Sequence, residues 1–171
     1  MLAPEWSRPL LERMPEVGAT IPMPLGHGQL GLAERWRLGR GLQRFRYDQA
    51  ILLPNSLKSA LIPFAARIPL RTGWLGEHRY GLLNDIRRLD ERRLPMTVQR
   101  FVALGQEAGE PIPRELPAPQ LQVHRHRAEA CRDRFGMYPE RPILALCPGA
   151  EFGGAKRWPA QYYAELARHF L

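Results

Sequence analysis

A chain of 171 residues with 25 Lys and Arg against 17 Asp and Glu carries a net charge of +8, and its 44% hydrophobic and 25% charged residues fit a globular protein, excluding long disorder, collagen or a disulfide scaffold. Arginine supplies 23 of the basic residues, and the lysines are Lys58 and Lys156 alone. No apolar run reaches the ~18 residues a spanning helix needs, and the opening MLAPEWSRPLLERMPE has acid and proline where a signal peptide needs an apolar core, so a cytoplasmic location is expected.

Proline and glycine, 17 and 15 residues, cut the chain into short elements and favour a mixed α/β layout over long helices. Trp6 to Met14 has a short helical pattern that ends before Pro15. Ala19 to Gly31 reads as a loop around a brief extended piece, and Leu32 to Phe45 as an amphipathic, arginine-faced helix. Tyr47 to Pro54 holds an apolar core bounded by proline, the pattern of a buried parallel strand. Asn55 or Ser56 can cap the next helix, Leu57 to Ala66, in which Pro63 predicts a kink. Leu70 to Leu75 is extended around Gly73 and leads into an irregular stretch, Gly76 to Arg93. Pro95 suits the first position of a helix over Met96 to Gly105.

The segment GEPIPRELPAPQ, residues 109–120, holds four prolines and is the best linker candidate, dividing residues 1–116 from residues 117–171. Beyond it, Val123 to Phe135 reads as a charged helix closed by Gly136, Ile143 to Cys147 as a buried strand, and the stretch from Pro159 to Leu171 as a helix. Alternating helices and strands argue for parallel sheets covered by helices, in parts of two α/β units.

Two strand-to-helix loops could carry chemistry. The loop from Pro148 to Pro159 has Gly149, Gly153 and Gly154, which let backbone approach a ligand, and Lys156 and Arg157, which suit phosphate. It is not a Walker motif, because Ala155 stands where that motif needs lysine. The same residues also fit an ordinary turn with a solvated Lys-Arg pair and Trp158 packed on the sheet. In the second loop, Leu53 to Ala60, residues Asn55, Ser56 and Ser59 can satisfy free helix N–H groups. Lys58 there opposes the helix dipole, so it either meets an anion or extends into solvent. Arg71, His78 and Arg79 read as surface residues, with Trp74 and Tyr80 as a possible apolar wall beside them. Asp48, Asp85 and Asp90 have no partner that marks a general base.

Cys131 and Cys147 are too few for a disulfide framework, Cys147 reads as a small buried hydrophobe, and the five histidines show no ligand spacing, so no metal site is expected. Arginines recur from Arg8 to Arg168 among scattered acids without an aromatic-lined cluster, so no nucleic-acid partner is expected.

Three segments, LPNSLKSALIPF, RTGWLGEHRYGLLND and CPGAEFGGAKRWP, occur in an order that closely resembles the lipopolysaccharide heptosyltransferase family. The resemblance implies a partial glycosyltransferase type B fold, with an incomplete acceptor-side Rossmann-like domain over 1–116 and the start of a donor-side domain over 117–171. It implies inverting transfer of heptose from ADP-L-glycero-D-manno-heptose to inner-core lipopolysaccharide, with an aspartate base and without cofactor or metal, at the inner face of the inner membrane. It puts Lys156 on the donor pyrophosphate, the backbone at Gly149, Ala150 and Glu151 along the nucleotide, and Lys58 and Arg79 toward the acceptor. No residue here matches the family's base, which lies on a strand and loop expected upstream of Met1, and a donor-holding loop is expected beyond Leu171. The chain is therefore expected to be a middle fragment, inactive alone, with phosphate or nucleotide binding as a residual property.

Overall fold

The structure, a computed structural model, describes residues 1–26, 28–138, 140, 142–150 and 153–170. In chain order the elements are β1 (Leu2–Pro4), α1 (Arg8–Leu11), β2 (Ile21–Met23), α2 (Leu32–Leu42), β3 (Gln49–Leu52), α3 (Leu57–Ala65), β4 (Leu70–Trp74), β5 (Asp85–Arg87), α4 (Thr97–Gly105), α5 (Arg125–Arg134) and α6 (Ala160–Phe170). They divide into two compact units, Met1–Leu121 and Gln122–Leu171.

Among the described residues all the strands lie in the first unit and pair in parallel. β1 pairs with β2 through Leu2 opposite Ile21, and β3, β4 and β5 form a three-stranded sheet in that order, with Ile51 opposite Thr72 and Gly73 opposite Ile86. Helix α3 returns the chain from β3 to β4, as parallel pairing requires. Its buried residues Ala60, Ile62, Pro63 and Ala65 lie on more than one side of the helix, which is enclosed on two sides. Leu42, Ile62, Ala66 and Ile68 form one core cluster, on which Leu2, Ile21, Met23 and Ala50 pack. Leu52, Ala60 and Leu83 form a second, and Ala50 touches both. Helices α2 and α3 meet closely at Gly39, where a Cβ would stand 2.5 Å from the Ile62 carbonyl oxygen and 2.7 Å from the Ala65 Cβ. Glycine is therefore a packing requirement in the middle of α2, whatever it costs in helix propensity.

Polar side chains cross the sheet on its other face. Gln49 Nε2 donates to Thr72 Oγ1 at 3.0 Å, and Thr72 Oγ1 donates to Asp85 Oδ2 at 2.8 Å. Arg87 pairs with the same carboxylate at 2.8 Å and donates to the Ala103 and Gln106 carbonyls at 2.6 and 2.7 Å, tying β5 to the end of α4. A cation at a helix C-terminus is favourably placed against the dipole.

Several sequence expectations are corrected. The Trp6 to Met14 helix shrinks to a 3-10 turn, Glu5–Ser7, and the short α1. Pro95 precedes the N-cap of α4 rather than opening the helix; the cap is Met96, whose N–H donates to Gln99 Oε1 at 3.0 Å. Strand β5 lies inside the stretch read as irregular, since Asp85 and Arg87 satisfy each other rather than an apolar core. The buried strand over Ile143 to Cys147 is absent: the segment is non-regular, with Ile143 60% exposed and Cys147 exposed. A strand needs a neighbour for its N–H and C=O groups, and among the described residues of the second unit there is none. That unit consists of α5, which ends at Gly136 in a left-handed conformation (φ 61°), a 3-10 turn over Gly154–Lys156, and α6. The expected helix end at Leu171 lies outside the described residues.

Hydrogen bonding from Arg87, helped by Thr72 and the Arg87 charge and opposed by burial, holds the Asp85 carboxyl below its ordinary range. Unfolded Asp85 therefore takes up a proton first as pH falls, so its stabilisation is present above the ordinary carboxylate pKa and is lost below it. Asp85→Asn should lower the urea midpoint at about pH 7, and the gap to wild type should narrow toward about pH 3. A gap independent of pH would show that the ionised carboxylate contributes nothing.

Candidate functional site

In the first unit the carboxyl ends of β3 and β4 face the start of α3. These are the positions at which open α/β sheets hold ligands. The loop after β4 folds back on the loop after β3 because Gly76 has no side chain: a Cβ there would sit 2.8 Å from the Asn55 carbonyl oxygen. Glu77 and His78 then adopt left-handed conformations, with φ of 42° and 52°. Two consecutive non-glycine residues in that region are strained. The strain sets Glu77 Oε2 to accept the Leu57 N–H at 2.7 Å, which caps α3 with a carboxylate. The expectation that Asn55 or Ser56 caps this helix is thus corrected: the Ser56 side chain makes no cap hydrogen bond, and Ser59 Oγ donates backward to the Ser56 carbonyl at 2.6 Å.

Arg79 is fully buried, which corrects its reading as a surface arginine. Its guanidinium donates to the Pro54 carbonyl at 2.7 Å, to Ser59 Oγ at 3.3 Å, to Asn55 Oδ1 at 3.5 Å and to the Trp74 carbonyl. Burial lowers its pKa, and the Glu77 charge opposes that shift. Arg71 is likewise structural, donating to the Leu82 and Ile68 carbonyls at 2.6 and 2.5 Å. Trp74 is buried and Tyr80 is 59% exposed, so the two form no common wall.

Lys58 projects from the first turn of α3 and donates to the Gln29 carbonyl at 3.3 Å. That carbonyl also accepts from Arg35 at 3.2 Å, and Arg35, which burial holds below its usual pKa, donates to the Leu30 carbonyl at 2.7 Å. An ammonium has three N–H donors, so Lys58 keeps capacity for an anion beside a helix N-terminus. A separate cleft of about 490 Å³ opens between Trp74, Arg87, Asp90, Arg93 and Ala103. Lys58 does not line it, and it mixes acids with bases without converging on one charge.

In the second unit the loop after Cys147 is closed by Arg157, whose Nε and terminal nitrogen donate to the Ala150 carbonyl at 3.2 and 3.1 Å. Gly153 stands at φ 78°, and the Lys156 N–H donates to its carbonyl at 3.3 Å. The Lys156 side chain is exposed, and among the described residues its ammonium has no partner. Gly149 and Ala150 flank the turn, while Glu151 lies outside the described residues. Trp158 does not pack on a sheet; it is 49% exposed and stacks on Tyr162 at 5.5 Å. Of the two cations expected on phosphate, the loop itself consumes Arg157 and leaves Lys156 available.

Sequence reading missed Glu77 as a cap and Arg79 as an anchor, because both roles arise from contacts 20 or more residues apart. Arg79→Met should destabilise the chain by about 3 kcal/mol, since it strands the buried Trp74 carbonyl and removes the tie to the Pro54 carbonyl. Lys58→Ala should cost under about 1 kcal/mol. Equal urea midpoints for the two variants would contradict this division of labour.

Comparison with known proteins places these loops in context. The glycosyltransferase family 9 (heptosyltransferase) model matches residues 35–171. Lipopolysaccharide heptosyltransferase 2 of Escherichia coli (strain K12) is 53% identical over 176 residues, covering 100% of this chain and 51% of its own length. The protein of the same name from Salmonella typhimurium is 54% identical with the same coverage. The solved structure of E. coli ADP-heptose lps heptosyltransferase II superposes with a TM-score of 0.88 at 50% identity, over 98% of this chain and 50% of that one. The chain thus spans about half the length of the curated relatives it matches, and its α/β fold is part of their glycosyltransferase type B architecture. With the family model matching residues 35–171 and the superposition covering 98% of the chain, the chain belongs to glycosyltransferase family 9, the heptosyltransferases.

Proposed function

We propose that the chain serves inverting transfer of heptose from ADP-L-glycero-D-manno-heptose to the inner core of lipopolysaccharide. An acceptor hydroxyl oxygen attacks the anomeric carbon, the bond from that carbon to the ADP phosphate oxygen breaks, and the hydroxyl proton passes to a base. The observation that carries this reading is identity above 50% along the whole chain to heptosyltransferases 2. In it, residues 1–116 belong to the acceptor side and residues 117–171 to the donor side. Lys156 pairs with the donor pyrophosphate, and the backbone at Gly149, Ala150 and Glu151 lines the nucleotide. Lys58 meets the anionic acceptor. Arg79 serves that side by holding the Pro54 and Asn55 loop rather than by touching substrate. No catalytic base is assigned, and ADP-heptose enters as substrate, with no cofactor or metal in the scheme.

No helix among the described residues is long and apolar enough to cross a membrane. The reading places the protein in the cytoplasm, at the inner face of the inner membrane where the acceptor is anchored, and gives it no nucleic-acid partner. A second reading, phosphate or nucleotide binding without catalysis, is favoured by the second unit's loop, which Arg157 closes without help from the first unit.

Calorimetric titration of the chain with ADP and ADP-heptose tests the donor loop. Lys156→Ala should weaken both by roughly tenfold or more, the loss of a charge-assisted contact, while Lys58→Ala should leave both unchanged. Equal affinities for wild type and Lys156→Ala would remove the donor assignment. Tight binding of ADP with no preference for ADP-heptose would favour the non-catalytic reading.

A further inference from the structure

Helices α2 and α3 also present an outer face that combines apolar and basic side chains. An open groove of about 720 Å³ runs between the helices, walled by Leu32, Trp36, Arg37, Arg40 and Leu61. Trp36 is 47% exposed, Leu32 52% and Phe64 38%, and the Trp36 and Phe64 rings stand 6.3 Å apart across the helix pair. Contiguous exposed apolar surface with a charged rim marks an interaction face.

The rim is predominantly basic. Residues 32–46 carry five arginines and one glutamate, and residues 57–67 carry Lys58 and Arg67 with no acid. Arg35 is buried, but Arg37 and Arg40, which share one face of α2, and Arg44, in the 3-10 turn just after it, are exposed. Among the described residues none of these three forms a salt bridge.

This pattern selects an occupant. A second copy of the chain would set basic stripe against basic stripe, and like charges across an interface are unfavourable. Nucleic acid wants aromatics interleaved with its phosphate contacts, whereas here the apolar residues are central and the arginines peripheral. A central Trp and Leu patch with an arginine border matches the depth profile of a bilayer surface, where apolar side chains enter the headgroup boundary and cations meet phosphate. We propose that the α2–α3 face docks on an anionic lipid bilayer, with Leu32, Trp36 and Phe64 entering the interface and Arg37, Arg40 and Arg44 on lipid phosphates. The proposal uses no residue of the donor loop, so it stands or falls separately from the transfer reaction.

Co-sedimentation of the 171-residue chain with phosphatidylcholine vesicles, with and without phosphatidylglycerol, tests it. Binding should require phosphatidylglycerol and weaken as salt rises. The pair Trp36→Ala with Phe64→Ala, and separately the pair Arg37→Glu with Arg40→Glu, should each lower the partition coefficient roughly tenfold or more. The arginine pair touches no core contact and decides the matter should the aromatic pair unfold. Failure of the wild type to bind, or binding by the arginine variant equal to wild type, would overturn the proposal. Loss of RNA or acidic-protein binding by the arginine variant, without vesicle binding by wild type, would reassign the face.

Discussion

The guanidinium of Arg79 gathers the carboxyl end of β4, the loop after β3 and the first turn of α3 onto one buried cation. Burying a guanidinium is costly unless its donors are used; here the two terminal nitrogens are used, by the Pro54 and Trp74 carbonyls and by Ser59 and Asn55, while Nε has no partner among the described residues. The arrangement fixes where Asn55 lies, hence where α3 begins and where Lys58 emerges. Glu77, two residues earlier, supplies the opposite charge at the head of the same helix. The strained backbone at Glu77 and His78 is what allows one short loop to place a cation beneath the helix and an anion upon it.

A similar economy governs the second unit. Arg157 holds the Ala150 carbonyl and thereby shapes the loop, so of two adjacent basic residues one is structural and the other, in the function proposed above, meets the ligand. Arginine suits the first task because its planar donors fork over a carbonyl, and lysine suits the second because its compact ammonium stays mobile and hydrated. The scarcity of lysine follows the same line. Arg71, Arg79, Arg87 and Arg157 all bind backbone carbonyls, so part of the basic excess is internal scaffolding.

What could be read from the sequence was local. Strand β3 and helices α2 and α3 are contiguous apolar patterns punctuated by Pro54 and the nearby glycines, and they form where periodicity puts them. Strand β5 escaped because its alternate residues are Asp85 and Arg87, which a hydrophobicity pattern cannot see. The strand over Ile143 to Cys147 failed for the opposite reason: its apolar pattern is clear, but pattern cannot supply the neighbour that a strand requires. Both lysines were visible as candidates, since a cation at a strand-to-helix loop is a local signal. The burial of Arg79 was not, because nothing within the segment announces the Pro54, Asn55 and Ser59 acceptors that converge on it from elsewhere.

The closure of the Gly76 to Arg79 loop over the head of α3 also orders the assembly of the first unit. Residues 49–74 form a strand, helix and parallel strand from nearby chain, a unit whose contacts span short loops. The loop can bond to Pro54 and Leu57 only once that unit exists, because its acceptors and donor are positioned by β3 and α3. Protection of the Leu57 amide in a folding time course would therefore rise with or after that of β3 and β4.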